Sequence, residues 1–245
     1  MRTKSVLVTG GSRGIGAATA RRLATAGWDV ALSYRSDADA AADVVRDCRA
    51  AGRRAWAFRA DLADPSDVEA LFTAVDAEVG ALDGLVNNAG VVSPGARVDA
   101  YTPERIRAVF DLNVTGAFLV AGAAVRRMST RHGGTGGVIV NVSSRAAVIG
   151  GANEYVDYAA TKAAIDVLTV GLAAEVAREG IRVVGVRPGL IDTEIHSPWR
   201  VERMADLIPV GRPGTADEVA AAIAWLLGDD ASYVTGSTLD VGGGR

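Results

Sequence analysis

Apolar residues along this chain follow two alternating rhythms: short unbroken runs, and longer stretches repeating every three to four positions. Ser5 to Thr9 is a short β-rich run, Ile15 to Ala26 is helical in period and stops at Gly27, and Asp29 to Ser33 is a strand again. The chain thus opens as a β-α-β unit. The alternation predicts a helix over about 37–51 stopped by Gly52, a strand at 55–59, a helix over about 66–79 stopped by Gly80, and a strand at 84–87. A helix from Pro103 to about Met128, a strand Val138–Val142, a helix from about Tyr155 to Glu179 and a strand Ile181–Val186 come next. Thr215 and Glu218 form a capping box ahead of a helix at 216–227, and Thr238–Val241 is the last strand. Seven solidly apolar strands separated by six helices predict an α/β fold: a doubly wound, seven-stranded parallel sheet with helices on both faces. No linker or repeat interrupts it, so residues 1–245 read as a single domain. Residues 188–214 are the exception, with four of the seven prolines and no clear period, and they are expected to be a substrate-binding loop.

Composition narrows the function. Hydrophobic residues make up 49% of the chain and charged residues 22%, which excludes a disordered or coiled-coil protein. The 26 basic residues against 29 acidic ones leave a net charge of −3, so nucleic acid is not expected as a partner. Cys48 is the single cysteine, and His132 and His196 are the two histidines. A reducing compartment and a metal-free mechanism are therefore expected, with no intrachain disulfide. The start, Met1 to Thr9, reads as a strand rather than a signal peptide, and apolar stretches such as Ala220 to Leu227 fall short of the ~18 residues that span a bilayer. The expectation is a cytoplasmic protein without a membrane partner.

The first chemical signal is Thr9-Gly-Gly-Ser-Arg-Gly-Ile-Gly16, lying between the first strand and the first helix. Backbone N–H groups and the helix dipole there suit a nucleotide pyrophosphate, as in Rossmann folds, although the spacing G-x-x-x-G-x-G departs from the G-x-G-x-x-G fingerprint. A tight turn without a ligand is the plain alternative. After the second strand, an acidic residue would grip a free ribose 2′-hydroxyl and an arginine would accommodate a 2′-phosphate. The chain reads Leu32-Ser-Tyr-Arg-Ser-Asp37, with Arg35 at the strand end and Arg13 in the glycine turn facing the same region. Two guanidinium groups favour NADP(H), with NAD(H) possible if Asp37, otherwise a helix cap, swings in.

The second signal is Tyr158 and Lys162, four apart on one helical face. A phenol is too weak a base near neutrality, and a nearby cation is expected to shift it towards working pH. Lys162 is the only lysine besides Lys4, so its compact ammonium is a choice over the prevailing arginine.

In this order these stretches resemble the classical short-chain dehydrogenases/reductases, whose cofactor motif T-G-x-x-x-G-x-G is Thr9 to Gly16 here. Asp61-Leu62, Asn87-Asn-Ala-Gly90, Asn113, Ser144, Tyr158-Ala-Ala-Thr-Lys162 and Arg187-Pro-Gly189 carry the rest of the resemblance, which covers nearly the whole chain. It implies a cofactor site of Gly10, Ser12, Arg13, Gly14, Ile15, Gly16, Tyr34, Arg35, Ser36, Asp61, Leu62, Asn88, Ala89, Gly90, Tyr158, Lys162, Pro188, Gly189, Ile191 and Thr193. Asp61 would contact the adenine, Asn87 to Gly90 would line the adenosine side, and Ile191 with Thr193 would hold the carboxamide. A catalytic set of Asn113, Ser144, Tyr158 and Lys162 is implied too. Tyr158 would give a proton to a carbonyl oxygen or take it from an alcohol, Ser144 would orient that oxygen, Lys162 would hold the ribose, and Asn113 would hold a water relaying protons to Lys162.

Ser144 stands 14 positions before Tyr158, where the family commonly has 13, so Ser143 competes with it; alternation along the strand points the two side chains to opposite faces. Tyr155 competes with Tyr158 but has Ala159 four residues on. His196, Trp199, Arg200, Met204 and Ile208 are expected in the substrate lid at 194–212, and Arg200, Arg203 or Arg212 would meet an acidic substrate or face water. The resemblance implies a carbonyl reductase similar to 3-oxoacyl carrier-protein reductases and sugar-type dehydrogenases. Its substrate would be a small carbonyl or alcohol, and its assembly a homotetramer burying the faces of helices 103–128 and 155–179 and the last strand. A non-catalytic NAD(P)-binding regulator or scaffold and an NAD-preferring sugar or alcohol dehydrogenase are the competing readings.

Overall fold

The computed structural model describes residues 2–193 and 206–245. Seven parallel strands, β1 Ser5–Val8, β2 Asp29–Tyr34, β3 Ala55–Arg59, β4 Gly84–Asn87, β5 Gly137–Val142, β6 Ile181–Pro188 and β7 Thr238–Val241, form one sheet in the order β3-β2-β1-β4-β5-β6-β7. The period-2 alternation of strand side chains divides the core in two. Val6, Val8, Leu32, Val86, Val140 and Val186 face α1 Gly14–Thr25, α2 Ala38–Ala50 and the late helix Ala216–Leu227. Leu7, Ala31, Leu85, Ile139 and Val183 face α3 Pro65–Glu78 and two helices further along the chain. The chain reverses its winding between β1 and β4, and a crevice opens there at the carboxyl ends of the strands.

Local chemistry sets the helix starts. Asp37 caps α2 by accepting from the Ala40 N–H at 2.9 Å, and Asp64 caps α3. The late helix carries the expected reciprocal box between Thr215 and Glu218.

The stretch expected as one helix from Pro103 to Met128 is α4 Pro103–Phe110, a π turn Asp111–Gly116, and α5 Ala117–Met128. At Gly116 this turn packs so tightly that a Cβ would collide with the Leu62 carbonyl oxygen. By length and composition the whole stretch could cross a membrane, but Val120, Ala121, Ala124 and Met128 are buried in the protein core. A four-residue helix, α6 Ala146–Ile149, is new relative to the pattern; α7 is Val156–Val176 and α8 is Ala216–Leu227.

Candidate active site

The glycine turn is held to the end of β4 by the side chains of Thr9 and Asn88. The Thr9 hydroxyl accepts from the N–H groups of Asn88 (2.9 Å) and Ala89 (3.0 Å), and the Asn88 amide donates back to the carbonyls of Thr9 and Gly10. Gly16 lies so close under this lock that a Cβ would strike the Gly10 carbonyl oxygen and come within 2.7 Å of Asn88 Nδ2. Gly14 has φ +53°, a backbone that favours glycine. The α1 N-cap is Arg13, which gives no side-chain cap, so the first-turn N–H groups are left for an anion.

A cleft runs from this turn across the strand ends. It is lined by Gly10, Ser12, Arg13, Gly14, Ile15 and Gly16, by Tyr34, Arg35 and Ser36 after β2, by Asp61 and Leu62 after β3, and by Asn88, Ala89 and Gly90 after β4. A second cavity, continuous with it through Ile15, Asn88, Gly90 and Thr193, contains Ser144, Tyr158, Lys162, Pro188, Gly189 and Ile191.

Ser143 and Ser144 are separated as strand alternation requires. The Ser143 hydroxyl is buried and donates to the Lys162 carbonyl at 2.9 Å, tying β5 to α7. Ser144 lines the same cavity as Tyr158, and its hydroxyl accepts from the Ala146 N–H at 3.1 Å. Burial pushes the Tyr158 phenol up to about 12, although Ser144 pulls the other way. Lys162 is pulled down to about 8 by burial, against the opposing charge of Asp166. Its ammonium donates to the Val142 carbonyl at 2.8 Å. Desolvation is thus the largest influence on the phenol, and Ser144 supplies the influence that lowers it.

The family described as Enoyl-(Acyl carrier protein) reductase matches residues 10–245. An uncharacterised oxidoreductase of Escherichia coli K12, YgfF, is 52% identical over 243 residues, covering 98% of each chain. The chain belongs to the short-chain dehydrogenase/reductase family. Two solved structures are similar over its whole length. A short-chain dehydrogenase from Burkholderia cenocepacia in complex with NADP has a TM-score of 0.92 at 38% identity, covering 98% of this chain and 97% of that one. A 3-ketoacyl-(acyl-carrier-protein) reductase from Brucella melitensis complexed with NADH has a TM-score of 0.92 at 33% identity, covering 99% and 98%.

In this short-chain dehydrogenase/reductase the residues expected around the cofactor all line the two joined cavities, and three of the four expected catalytic residues do so as well. Asn113 does not. It sits buried in the π turn, where its amide accepts from the Val91 N–H (2.8 Å) and donates to the Val91 carbonyl (2.9 Å) and the Thr161 hydroxyl (3.1 Å). Asn87 is likewise drawn into the interior, donating to the Ala117 carbonyl and Asn141, so only Asn88 to Gly90 face the cleft.

Ile208 is buried against the Gly243 backbone in a pocket it shares with Leu190 and Ile191, and Arg212 is paired with Glu218. His196, Trp199, Arg200, Arg203 and Met204 lie outside the described residues. Arg145, Ala146, Ile149 and Leu190 line the catalytic cavity without having been expected there. The places of Arg145, Ala146 and Ile149 follow from α6, too short to leave a periodic signal.

Proposed function

We propose that this oxidoreductase is an NADP(H)-dependent carbonyl reductase, moving a hydride between nicotinamide and a ketone or secondary alcohol with Tyr158 as general acid and base. The observation that carries the reading is the grouping of Ser144, Tyr158 and Lys162 around one cavity that opens into the glycine-turn cleft. The uncapped start of α1 and the glycine floor fit a dinucleotide pyrophosphate, and the NADP complex of the Burkholderia relative supports the same cofactor here. Arg13 and Arg35 on one wall favour the 2′-phosphate, while Asp37 is occupied as the α2 cap. The NADH complex of the Brucella relative supports NAD(H) as the weaker alternative.

When bound, NADP(H) supplies or accepts the hydride. Tyr158, protonated across the working range, donates its proton to the carbonyl oxygen, and the Ser144 hydroxyl holds that oxygen in place. The Lys162 ammonium favours the phenolate left behind, and it would hold the nicotinamide ribose of a bound cofactor. Asn113 Oδ1 and Lys162 Nζ lie 3.2 and 3.4 Å from the position of a Cβ on Gly90, so both border one small space in which a water can bridge them. Ile191 and Thr193 would hold the carboxamide of a bound cofactor, with Pro188 and Gly189 lining the same cavity, and the 188–214 segment would select the substrate.

Exposed Ile106, Phe118, Val167 and Val170 on α4, α5 and α7, with Leu239 on β7, support a homotetramer. Elution as a monomer in size-exclusion chromatography would sink that part. The activity is tested by following NADPH absorbance over a panel of aliphatic, cyclic and β-keto-ester ketones. Consumption of NADPH by at least one, lost in Tyr158→Phe, is expected; no turnover on the panel overturns the reductase reading and leaves a binding scaffold.

A further inference from the structure

Tyr158 is the third residue of α7, in the turn where a helix has no intrahelical partners for its N–H groups and frays most easily. The first intrahelical bond runs from the Ala159 N–H to the Tyr155 carbonyl at 3.0 Å, and the N-cap residue, Tyr155, gives no side-chain cap. A proton donor must be held to within about half an ångström of its productive position, so this is an unfavourable place for one unless something else fixes the turn.

Three side chains from outside the cavities do so. The Tyr101 hydroxyl accepts from the Val156 N–H at 2.9 Å, and the Asp157 carboxylate accepts from the Tyr158 N–H at 2.9 Å. Asp157, with a side chain only 2% exposed, is gripped by Arg105 of α4 through contacts of 2.8 and 3.3 Å. The Arg105 guanidinium lies 4.2 Å from the centre of the Tyr101 ring and donates to the Pro94 carbonyl. Burial pushes the Asp157 carboxyl up, but the hydrogen bonds from Arg105 and the Tyr158 N–H outweigh it and keep the carboxylate charged.

We propose that Arg105 and Asp157, with Tyr101, are positioning residues for the reaction: they replace the missing α7 cap and lock the Tyr158 turn to α4 and to the loop that follows Gly90. The inference rests on the assignment of Tyr158 as proton donor. Asp157 is favoured where it stands, since a carboxylate in the first turn also meets the positive end of the helix dipole. Arg105 makes that carboxylate tolerable in the interior, joins it to α4 across 52 residues of sequence, and passes the constraint on to the loop at Pro94.

The test uses the full-length protein and four variants, Asp157→Ala, Asp157→Asn, Arg105→Lys and Tyr101→Phe. For each, kcat and KM are measured with a ketone turned over by the parent, NADPH affinity by fluorescence, melting temperature by calorimetry, and amide hydrogen exchange in peptides spanning 153–162. Asp157→Ala is expected to lower kcat at least tenfold with NADPH affinity within twofold, and to speed exchange in that turn at least tenfold. Asp157→Asn, which keeps an acceptor for the Tyr158 N–H, should recover kcat to within threefold of the parent. Arg105→Lys keeps the charge but loses the two-pronged grip, and is expected to lower kcat about fivefold while remaining folded. Tyr101→Phe should speed exchange at Val156.

The proposal is overturned if kcat of Asp157→Ala stays within twofold of the parent, or if kcat and NADPH affinity fall together in all variants, as a merely structural role would give. Should Asp157→Ala not fold, Arg105→Lys decides on the same readouts. If the parent turns over no ketone, the reductase reading alone fails; unchanged exchange in the variants then overturns the capping role, and faster exchange upholds it.

Discussion

The Lys162 ammonium stands 5.7 Å from the centre of the Tyr158 ring, one helical turn along α7, while its hydrogen bond is spent on the Val142 carbonyl. The two groups are thus neighbours without being a hydrogen-bonded pair, and burial moves them in opposite senses: Tyr158 up to about 12 and Lys162 down to about 8. Each shift favours the neutral form of its group.

A pH dependence follows. Below about pH 8 Lys162 is protonated and favours the phenolate that forms as Tyr158 gives up its proton; above it the ammonium is lost while Tyr158 stays protonated to about 12. kcat/KM for ketone reduction, which reports the free enzyme, should be level at lower pH and fall as pH rises through about 8. In Lys162→Met that inflection should vanish and the rate should be low throughout. A reduction rate that keeps rising from pH 7 to pH 9 would contradict the assignment.

Removing the donor itself should be far more costly. Tyr158→Phe keeps the ring and its edge-on contact with Tyr155, 5.7 Å between centres, but deletes the proton. A loss of about 10²–10⁴ in kcat is expected, the usual range for a general acid. Activity retained within threefold would overturn the role. Ser144→Ala should also lower kcat, whereas Ser143→Ala, which loses its bond to the Lys162 carbonyl, should show first in a lower melting temperature.

What could be read from the sequence was what is set locally. Thr9 to Gly16 and Tyr158 to Lys162 each lie within two turns of chain, so their spacing alone predicts which groups share a face. The strands were legible because alternation on a two-sided sheet leaves solid apolar runs. The π turn around Asn113 was not, because it keeps the same apolar period as the helices on either side. The ionisation of Tyr158 depends on burial by several elements, and the Arg105–Asp157 pair joins residues 52 apart, so no local pattern announces either one.

Cofactor choice is testable at one position. Arg35 and Arg13 both line the cleft, and the Arg59 Nε donates to the Arg35 carbonyl at 3.2 Å. Arg35→Asp replaces a partner for a 2′-phosphate with one for a 2′-hydroxyl. The ratio of kcat/KM for NADPH over NADH should drop at least tenfold, mainly through a higher KM for NADPH. Equal efficiency with both cofactors in the parent would contradict the preference.

The last prediction concerns the lock between the glycine turn and β4. Thr9→Val keeps the shape of the side chain but removes the oxygen that accepts from the Asn88 and Ala89 N–H groups, at 2.9 and 3.0 Å. Both donors are partly buried, and leaving such groups unpaired costs about 1–3 kcal/mol each, reduced where water can reach them. A net loss of about 2 kcal/mol corresponds to a fall in Tm of about 4–8 °C for a chain of this size. The Asn88 amide, which bridges to the carbonyls of Thr9 and Gly10, would then be the remaining side-chain tie between the two strand ends among the described residues. NADPH affinity should fall at least threefold, because the turn no longer keeps a fixed distance from Gly90. A Tm within 1 °C of the parent, measured by calorimetry with and without NADPH, would show that this hydroxyl does not hold the turn.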